Sequence, residues 1–319
     1  MSNVPLKSSR KRVHSQVDRE LSVLVADAPG IEKLPTASAF RITAREAGPR
    51  VVILGSIHGD EPAGYEAIKE ILKQFAANRL QLFRGTLTLA IGNELALERR
   101  VRKVEQNLNR LFKPEPIAAP SCYEEERAEE LKGLLAGAAW MMDLHATSQP
   151  TPPFAMCESH LLDEACEMGF ARIVTGWGEL GDESLGGDTE SYINAIGGKG
   201  FTVETGQRDS AESPSAAMDA ARRFLRHVGM IPYETSPQSE PAVYKLFSSI
   251  KVDEARFRYT RAFHSFDGLK GGELIGQEGE KSHRAPQDCV LIMPSSDQFM
   301  LAHEERIAKP VAQCGRKLA

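Results

Sequence analysis

The sequence predicts an α/β layered domain over residues 20–235, a smaller β-rich domain over residues 236–319, and a flexible tail over residues 1–19. Two observations carry the first domain: short continuous apolar runs of strand length, and helical segments with one apolar stripe alternating with them. A third marks the second domain, where short strand-like pieces separated by glycine turns take over after Pro237.

Val51-Val52-Ile53-Leu54, ending in Gly55, reads as a strand buried on both faces. After Pro62, Ile68, Ile71, Leu72 and Phe75 fall at i, i+3, i+4 and i+7, the spacing of one helix face. Thr86 to Ile91 reads as the next strand. Leu131, Leu134 and Leu135 mark another helix, and an apolar stretch runs from Ala139 to Leu144. Ala171 to Val174 and Phe201 to Glu204 are further strands. Ala217, Met218, Ala221, Phe224, Leu225 and Val228 form a helical stripe that Gly229 stops at a C-cap position. Between Gly176 and Gly200 lie eight glycines and few large apolar residues, the composition of a connecting loop or of a mobile loop over a site. Pro237, Ser239 and Pro241 mark the linker, and Asp267-Gly268, Gly271-Gly272 and Gly276 the turns beyond it. In such layered sheets, sites gather at the carboxyl ends of the strands.

Composition excludes several classes. With 41% hydrophobic and 26% charged residues in 319, the chain can bury a large core without disulfide staples. A formal net charge of -5 weighs against nucleic acid as a partner, since phosphate binding needs a basic surface. Cys122, Cys157, Cys166, Cys289 and Cys314 are odd in number and form no CxxC pair, which suits a reducing compartment and no thiolate-held metal. Lys7, Arg10, Lys11 and Arg12 precede no apolar run, so they are no secretory signal. No apolar run approaches the ~20 residues of a membrane-spanning helix. The expectation is a cytoplasmic protein with no membrane or nucleic-acid partner, and a homo-oligomer stays open.

Four segments carry chemistry. His58 and Glu61, in Gly55-Ser-Ile-His58-Gly-Asp-Glu61-Pro-Ala-Gly64, stand three residues apart where a strand turns into a helix. That spacing lets an imidazole and a carboxylate converge on one ion from a single turn. In Met141-Met142-Asp143-Leu144-His145, strand alternation points Asp143 and His145 to one side, making His145 a third ligand with Asp143 orienting its ring. Glu204 ends the β-branched, apolar run Phe201-Thr202-Val203 and suits the general base of a water-activating site. Two histidines and one glutamate leave an open position, the arrangement of catalytic rather than structural zinc. In Arg102-Lys-Val-Glu-Gln-Asn107-Leu-Asn109-Arg110-Leu-Phe112, the arginines suit a carboxylate or a developing oxyanion, and Asn109 adds a neutral donor beside them. Taken singly, each segment also fits a plainer reading: a loop or strand-end histidine, a solvated acid, a charged helix face.

In this order the four segments resemble the succinylglutamate desuccinylase and aspartoacylase family, which is related to the zinc carboxypeptidases. The matching features are the His58–Glu61 pair, Arg102 followed after six residues by Asn109-Arg110, the strand-borne His145, and Val203-Glu204-Thr205-Gly206. The step from Arg102 to Asn109 discriminates most. The resemblance implies a zinc-carboxypeptidase-like layered domain, a mixed sheet flanked by helices, with a β-rich second domain. It implies one zinc per chain held by His58, Glu61 and His145, and Glu204 moving a proton from the attacking water to the departing amine. It further implies Arg102 polarising the scissile carbonyl, and Asn109 and Arg110 gripping a substrate carboxylate. The activity implied is a zinc-dependent deacylase of small N-acyl amino acids; the alternative is a zinc carboxypeptidase acting on a peptide or peptidoglycan fragment. Closure of the cleft by the region after Pro237 would favour the first. Aspartoacylases carry a further arginine shortly before the catalytic glutamate, where Asn194 stands here, which moves specificity away from N-acetylaspartate. By charge alone, Asp188 and Glu190 in the same segment suit a substrate with a second amine.

Overall fold

The computed structural model describes residues 15–182, 185–232 and 240–305. The chain begins with α1 (Gln16–Val25), β1 (Ile31–Lys33), β2 (Ala39–Thr43), β3 (Glu46–Gly55), α2 (Ala63–Ala76), β4 (Arg84–Ile91), α3 (Glu94–Arg99) and α4 (Tyr123–Leu135). It continues through β5 (Trp140–Thr147), β6 (Phe154–Cys157), α5 (Leu162–Glu167), β7 (Arg172–Thr175), α6 (Thr189–Ala195), β8 (Lys199–Gln207) and α7 (Ser213–His227). The last part is all strand: β9 (Ala242–Lys251), β10 (Phe257–Tyr259), β11 (Asp267–Leu269), β12 (Leu274–Glu278), β13 (Lys281–Arg284), β14 (Cys289–Ile292) and β15 (Gln298–Glu305).

Among the described residues, twelve strands form one mixed sheet in the order β1-β2-β4-β3-β5-β8-β6-β7-β9-β15-β14-β11. At its centre β4, β3, β5 and β8 run parallel, so their carboxyl ends lie along one edge. Alternation along β3 explains the two helical layers. Val51 and Ile53 point into the core shared with α1, α2 and α7, whereas Val52 and Leu54 point into the core under α4 and α6. Each such fully buried aliphatic side chain contributes about 1.5–3 kcal/mol relative to exposure. The mixed sheet flanked by helices is the expected class.

Three expectations change. The tail expected over residues 1–19 gives way earlier: the Ser15 hydroxyl accepts from Asp18 N at 2.9 Å and caps a helix starting at Gln16. Leu21 and Val25 of that helix are buried, which the polar residues before them do not announce. The glycine-rich stretch from Gly176 to Gly200 contains α6. The β-rich part does not stand apart from the first sheet, since β9 pairs in parallel with β7 and brings β15, β14 and β11 with it. Only β10, β12 and β13 form a separate sheet, with Phe257, Ile275 and Phe299 in the core beside it. The linker residues Pro237 and Ser239 lie outside the described residues, as does Cys314. Cys122, Cys157, Cys166 and Cys289 are free and buried. No helix among the described residues is long and apolar enough to cross a membrane.

Candidate metal centre and cleft

Two glycines set the approach of α2 to the sheet. A Cβ on Gly55 would lie 2.6 Å from Gly64 C, and one on Gly64 would lie 2.7 Å from Gly55 Cα. Backbone against backbone, the helix start brings His58 and Glu61 over the ends of β3 and β5. Ser56, at a φ of 55°, turns the chain there, and its hydroxyl donates to the Glu61 carbonyl at 2.9 Å. On β5 the pleat points Asp143 and His145 to one side, and the parallel register sets His145 beside Glu204 of β8.

These elements converge. His58 Nδ1 is 2.9 Å from Glu61 Oε1, and His145 Nδ1 is 3.0 Å from Glu61 Oε2. One donor atom from each of the three buried residues lies within 4.8 Å of the others. Donors sharing a tetrahedral zinc at about 2.0–2.2 Å stand roughly 3.3 Å apart, so the set fits such an ion. The far ring nitrogens fit as well. His58 Nε2 is 3.1 Å from Asn107 Oδ1 and His145 Nε2 is 2.9 Å from Asp143 Oδ2. Each can donate there as Nε2–H, which leaves both Nδ1 lone pairs available to a cation. Thr189 in turn donates to Asp143 Oδ2 at 2.6 Å.

Glu61 is the hub. It also accepts from Ala146 N at 3.1 Å and from Arg102 Nη1 at 3.0 Å. Burial alone would raise its pKa, but His58 and His145 hold it well below the usual carboxylate range. Burial would lower His145, yet Asp143 and Glu61 hold it well above the ordinary histidine value. At His58 burial wins, and its pKa is lowered despite Glu61. The neighbouring acid behaves in the opposite way to Glu61: desolvation, reinforced by the Glu61 charge, pushes Glu204 up to about 7. Glu204 Oε2 is buried and has no hydrogen-bond partner among the described residues.

The three donors and Glu204 open into a cleft of about 470 Å³. The candidates Arg102, Asn109 and Arg110 all line the cleft, and Asn107 of the same segment lines it with them. That segment is not a charged helix face but an irregular loop ending in a single tight turn at Leu108–Arg110. Asn109 Oδ1 accepts from Thr189 N at 3.2 Å, and Arg110 Nη1 donates to the Asn109 carbonyl at 2.5 Å. Gly187, at a φ of 81°, lets the two loops touch, since a Cβ there would lie 2.5 Å from Arg110 O. Met293 to Gln298, leading into β15, also line the cleft. Thr151 ties this segment down by donating to Ser265 Oγ at 3.2 Å, which also accepts from Met293 N at 3.0 Å.

Asn194, which stands where aspartoacylases carry an arginine, has a structural contact here. Asn194 is not among the cleft-lining residues. It sits at the end of α6, where Oδ1 accepts from Gly200 N at 2.8 Å and closes the turn into β8. Counting back from Glu204 along the chain cannot reveal that turn.

Glu124 is the residue that sequence reasoning missed. Fully buried on α4, its carboxylate accepts from Val104 N at 2.6 Å, Glu105 N at 3.2 Å, Gln106 N at 3.3 Å and Asn93 Nδ2 at 3.1 Å. It thereby anchors the backbone between Arg102 and Asn107, the partner of His58. Glu124→Gln presents an NH2 to donors and should loosen that loop. We expect zinc affinity, measured by chelator competition, to fall about 10-fold, the low end for loss of an outer partner of a metal ligand. Unchanged affinity would show that the loop holds Asn107 without Glu124.

Fold and site together define a class: an α/β protein with a buried His–Glu–His donor set at the strand ends and an unpartnered acid beside it. The chain belongs to the succinylglutamate desuccinylase/aspartoacylase family, whose catalytic domain matches residues 47–228. It is 31% identical over 279 residues to a succinylglutamate desuccinylase of Burkholderia cenocepacia, covering 78% of each chain. It is 25% identical over 274 residues to one of Burkholderia orbicola, again covering 78% of each. Among solved structures, a succinylglutamate desuccinylase from Vibrio cholerae shares the fold with a TM-score of 0.69 at 19% identity, over 86% of this chain and 90% of that one.

Proposed function

We propose that the protein is a zinc-dependent amidohydrolase that removes the acyl group from a small N-acyl amino acid or a related carboxylate-bearing amide. The observation that carries the reading is the arrangement of His58, Glu61 and His145 around one point, with the free Glu204 oxygen on the adjacent strand. Zinc held by these three donors would lower the pKa of a water to about 7 and polarise a carbonyl. Glu204, raised towards neutrality, is suited to accept a proton from the attacking water and return it to the leaving amine nitrogen. Arg102 faces the cleft beside Glu61 and is placed to donate to the carbonyl oxygen as negative charge develops. Asn109 and Arg110 line the same cleft, where they would bind the substrate carboxylate.

The share of the cleft lining that Met293 to Gln298 supply supports a small substrate rather than an extended peptide, because the β-rich region closes in on the same cleft as the candidate ligands. The relatives named as succinylglutamate desuccinylases support the same class of reaction. The test is a hydrolysis screen of purified, zinc-analysed protein against N-acetyl and N-succinyl amino acids, with peptides included. Release of free amino acid by protein holding about one zinc per chain is the expected result. Cleavage confined to the peptides, or full activity without metal, would overturn the reading.

A further inference from the structure

A second cavity, of about 340 Å³, shares no lining residue with the cleft. Arg50 lines it, five residues before Gly55 on β3, so it lies roughly 17 Å along that strand from the end that carries the candidate centre. The strand register explains which side chains meet there. Between β2 and β4, Arg41 pairs with Thr88 and Thr43 with Thr86. Between β3 and β4, Arg50 pairs with Thr86 and Val52 with Thr88. Paired residues share a face of the sheet, and Val52 puts that face on the side of α4. Because β4 lies between β2 and β3, the threonines of β4 form a floor with one arginine on each side.

The charges in this cavity are not balanced. No acid lines it. Glu32 is 3.4 Å from Arg41 Nη1, but both side chains are well exposed, and water screens such a pair. The Arg50 guanidinium has no hydrogen-bond or ion-pair partner among the described residues. It rests against the turn after α4, where a Cβ on Gly137 would lie 2.8 Å from its Nη1. Thr88 is the second sign. It is 7% exposed, and its hydroxyl has no hydrogen-bond partner among the described residues. Its neighbours Leu87, Leu89 and Ala90 are the apolar residues usual in a sheet covered on both faces. A buried hydroxyl left unpaired is costly, and a bound acceptor would offset that cost. Two guanidinium groups and a row of hydroxyls, with no acid among them, are complementary to an anion with several oxygens.

We propose that this cavity is a second ligand site, which binds the oxyanion of a small phosphate ester or polycarboxylate between Arg41 and Arg50. Thr86 and Thr88 donate to the anion from the floor. The volume suits a small molecule rather than a chain segment. The site stands apart from the hydrolytic chemistry, since none of its residues belongs to the cleft.

Glycerol 2-phosphate and tricarballylate carry the two kinds of oxyanion, and glycerol is the neutral control. In calorimetry on the purified protein at fixed ionic strength, at least one of the anions should bind and glycerol should not. The tighter of the two identifies phosphoryl or carboxylate as the favoured group. Arg41→Gln and Arg50→Gln should each weaken that binding about 10- to 100-fold, the range for a hydrogen bond to a charged group. Neither arginine is part of the core, so both variants should fold. Thr88→Val keeps the side-chain shape and should weaken binding about 2- to 10-fold, the range for a neutral hydrogen bond. Arg110→Gln removes a cation from the cleft and should leave this binding event unchanged. Failure of both anions to bind the wild-type protein would overturn the proposal. So would binding that survives both Arg41→Gln and Arg50→Gln, or binding that Arg110→Gln abolishes, because the anion would then sit in the cleft. None of these measurements uses turnover, so the site and the deacylase reading stand or fall separately.

Discussion

Glu204→Gln should lower kcat by about 10²- to 10⁴-fold, the usual contribution of a positioned general base, while zinc content stays at the wild-type level. The substitution keeps the shape of a side chain that is buried and touches no described hydrogen-bond partner through Oε2. None of the His58, Glu61 and His145 contacts depends on it. Only the capacity to accept a proton is removed. The pH profile carries the same signature. A base works when deprotonated, so kcat/KM should fall as pH drops through the Glu204 pKa. Burial and the Glu61 charge push that value up to about 7, and a dication on the three donors acts in the opposite sense. The acidic limb of wild-type enzyme should therefore lie below pH 7 and disappear from the residual activity of the variant. A variant with wild-type kcat would assign the proton transfer to another group.

Glu61→Gln should empty the centre. Its two oxygens face both Nδ1 atoms and also take hydrogen bonds from Ala146 N and Arg102 Nη1. An amide can offer one acceptor oxygen, and its NH2 would point at donors or at a ligand nitrogen. The formal negative charge that balances two imidazoles and a dication is lost too. Zinc affinity should fall by more than about 100-fold, beyond the range for loss of an outer partner, and activity with it. Chelator competition followed by elemental analysis reads this directly, with circular dichroism to show that the fold persists. Retention of one zinc per chain with unchanged affinity would remove Glu61 from the ligand set.

The residues of the candidate centre were legible because their chemistry imposes local spacing. His58 and Glu61 serve one ion from one turn, and Asp143 and His145 share a strand face through the two-residue repeat. Glu204 was legible as an acid ending an apolar strand. Glu124 was not, because an acid near the start of a helix looks like a favourable dipole partner. Its actual partners are backbone amides some twenty positions away. The contact of Asn194 was equally hidden, because its partner, Gly200 N, is met only when the chain turns from α6 into β8.

The fold divides along similar lines. Strands β3, β4, β5 and β8 and helices α2, α4 and α7 lay in the sequence as apolar periods, because burial on one or both faces selects residues at fixed intervals. The sequence by itself thus determined the layered class, the strand ends that hold the candidate ligands, and the order of the chemical segments. Tertiary structure alone decided that β9 would join β7, and that Met293 to Gln298 would line the same cleft as the candidate ligands. Those outcomes depend on which distant segments pack together. Pairing of this kind is set by the shape and burial of whole surfaces and leaves no period along the chain.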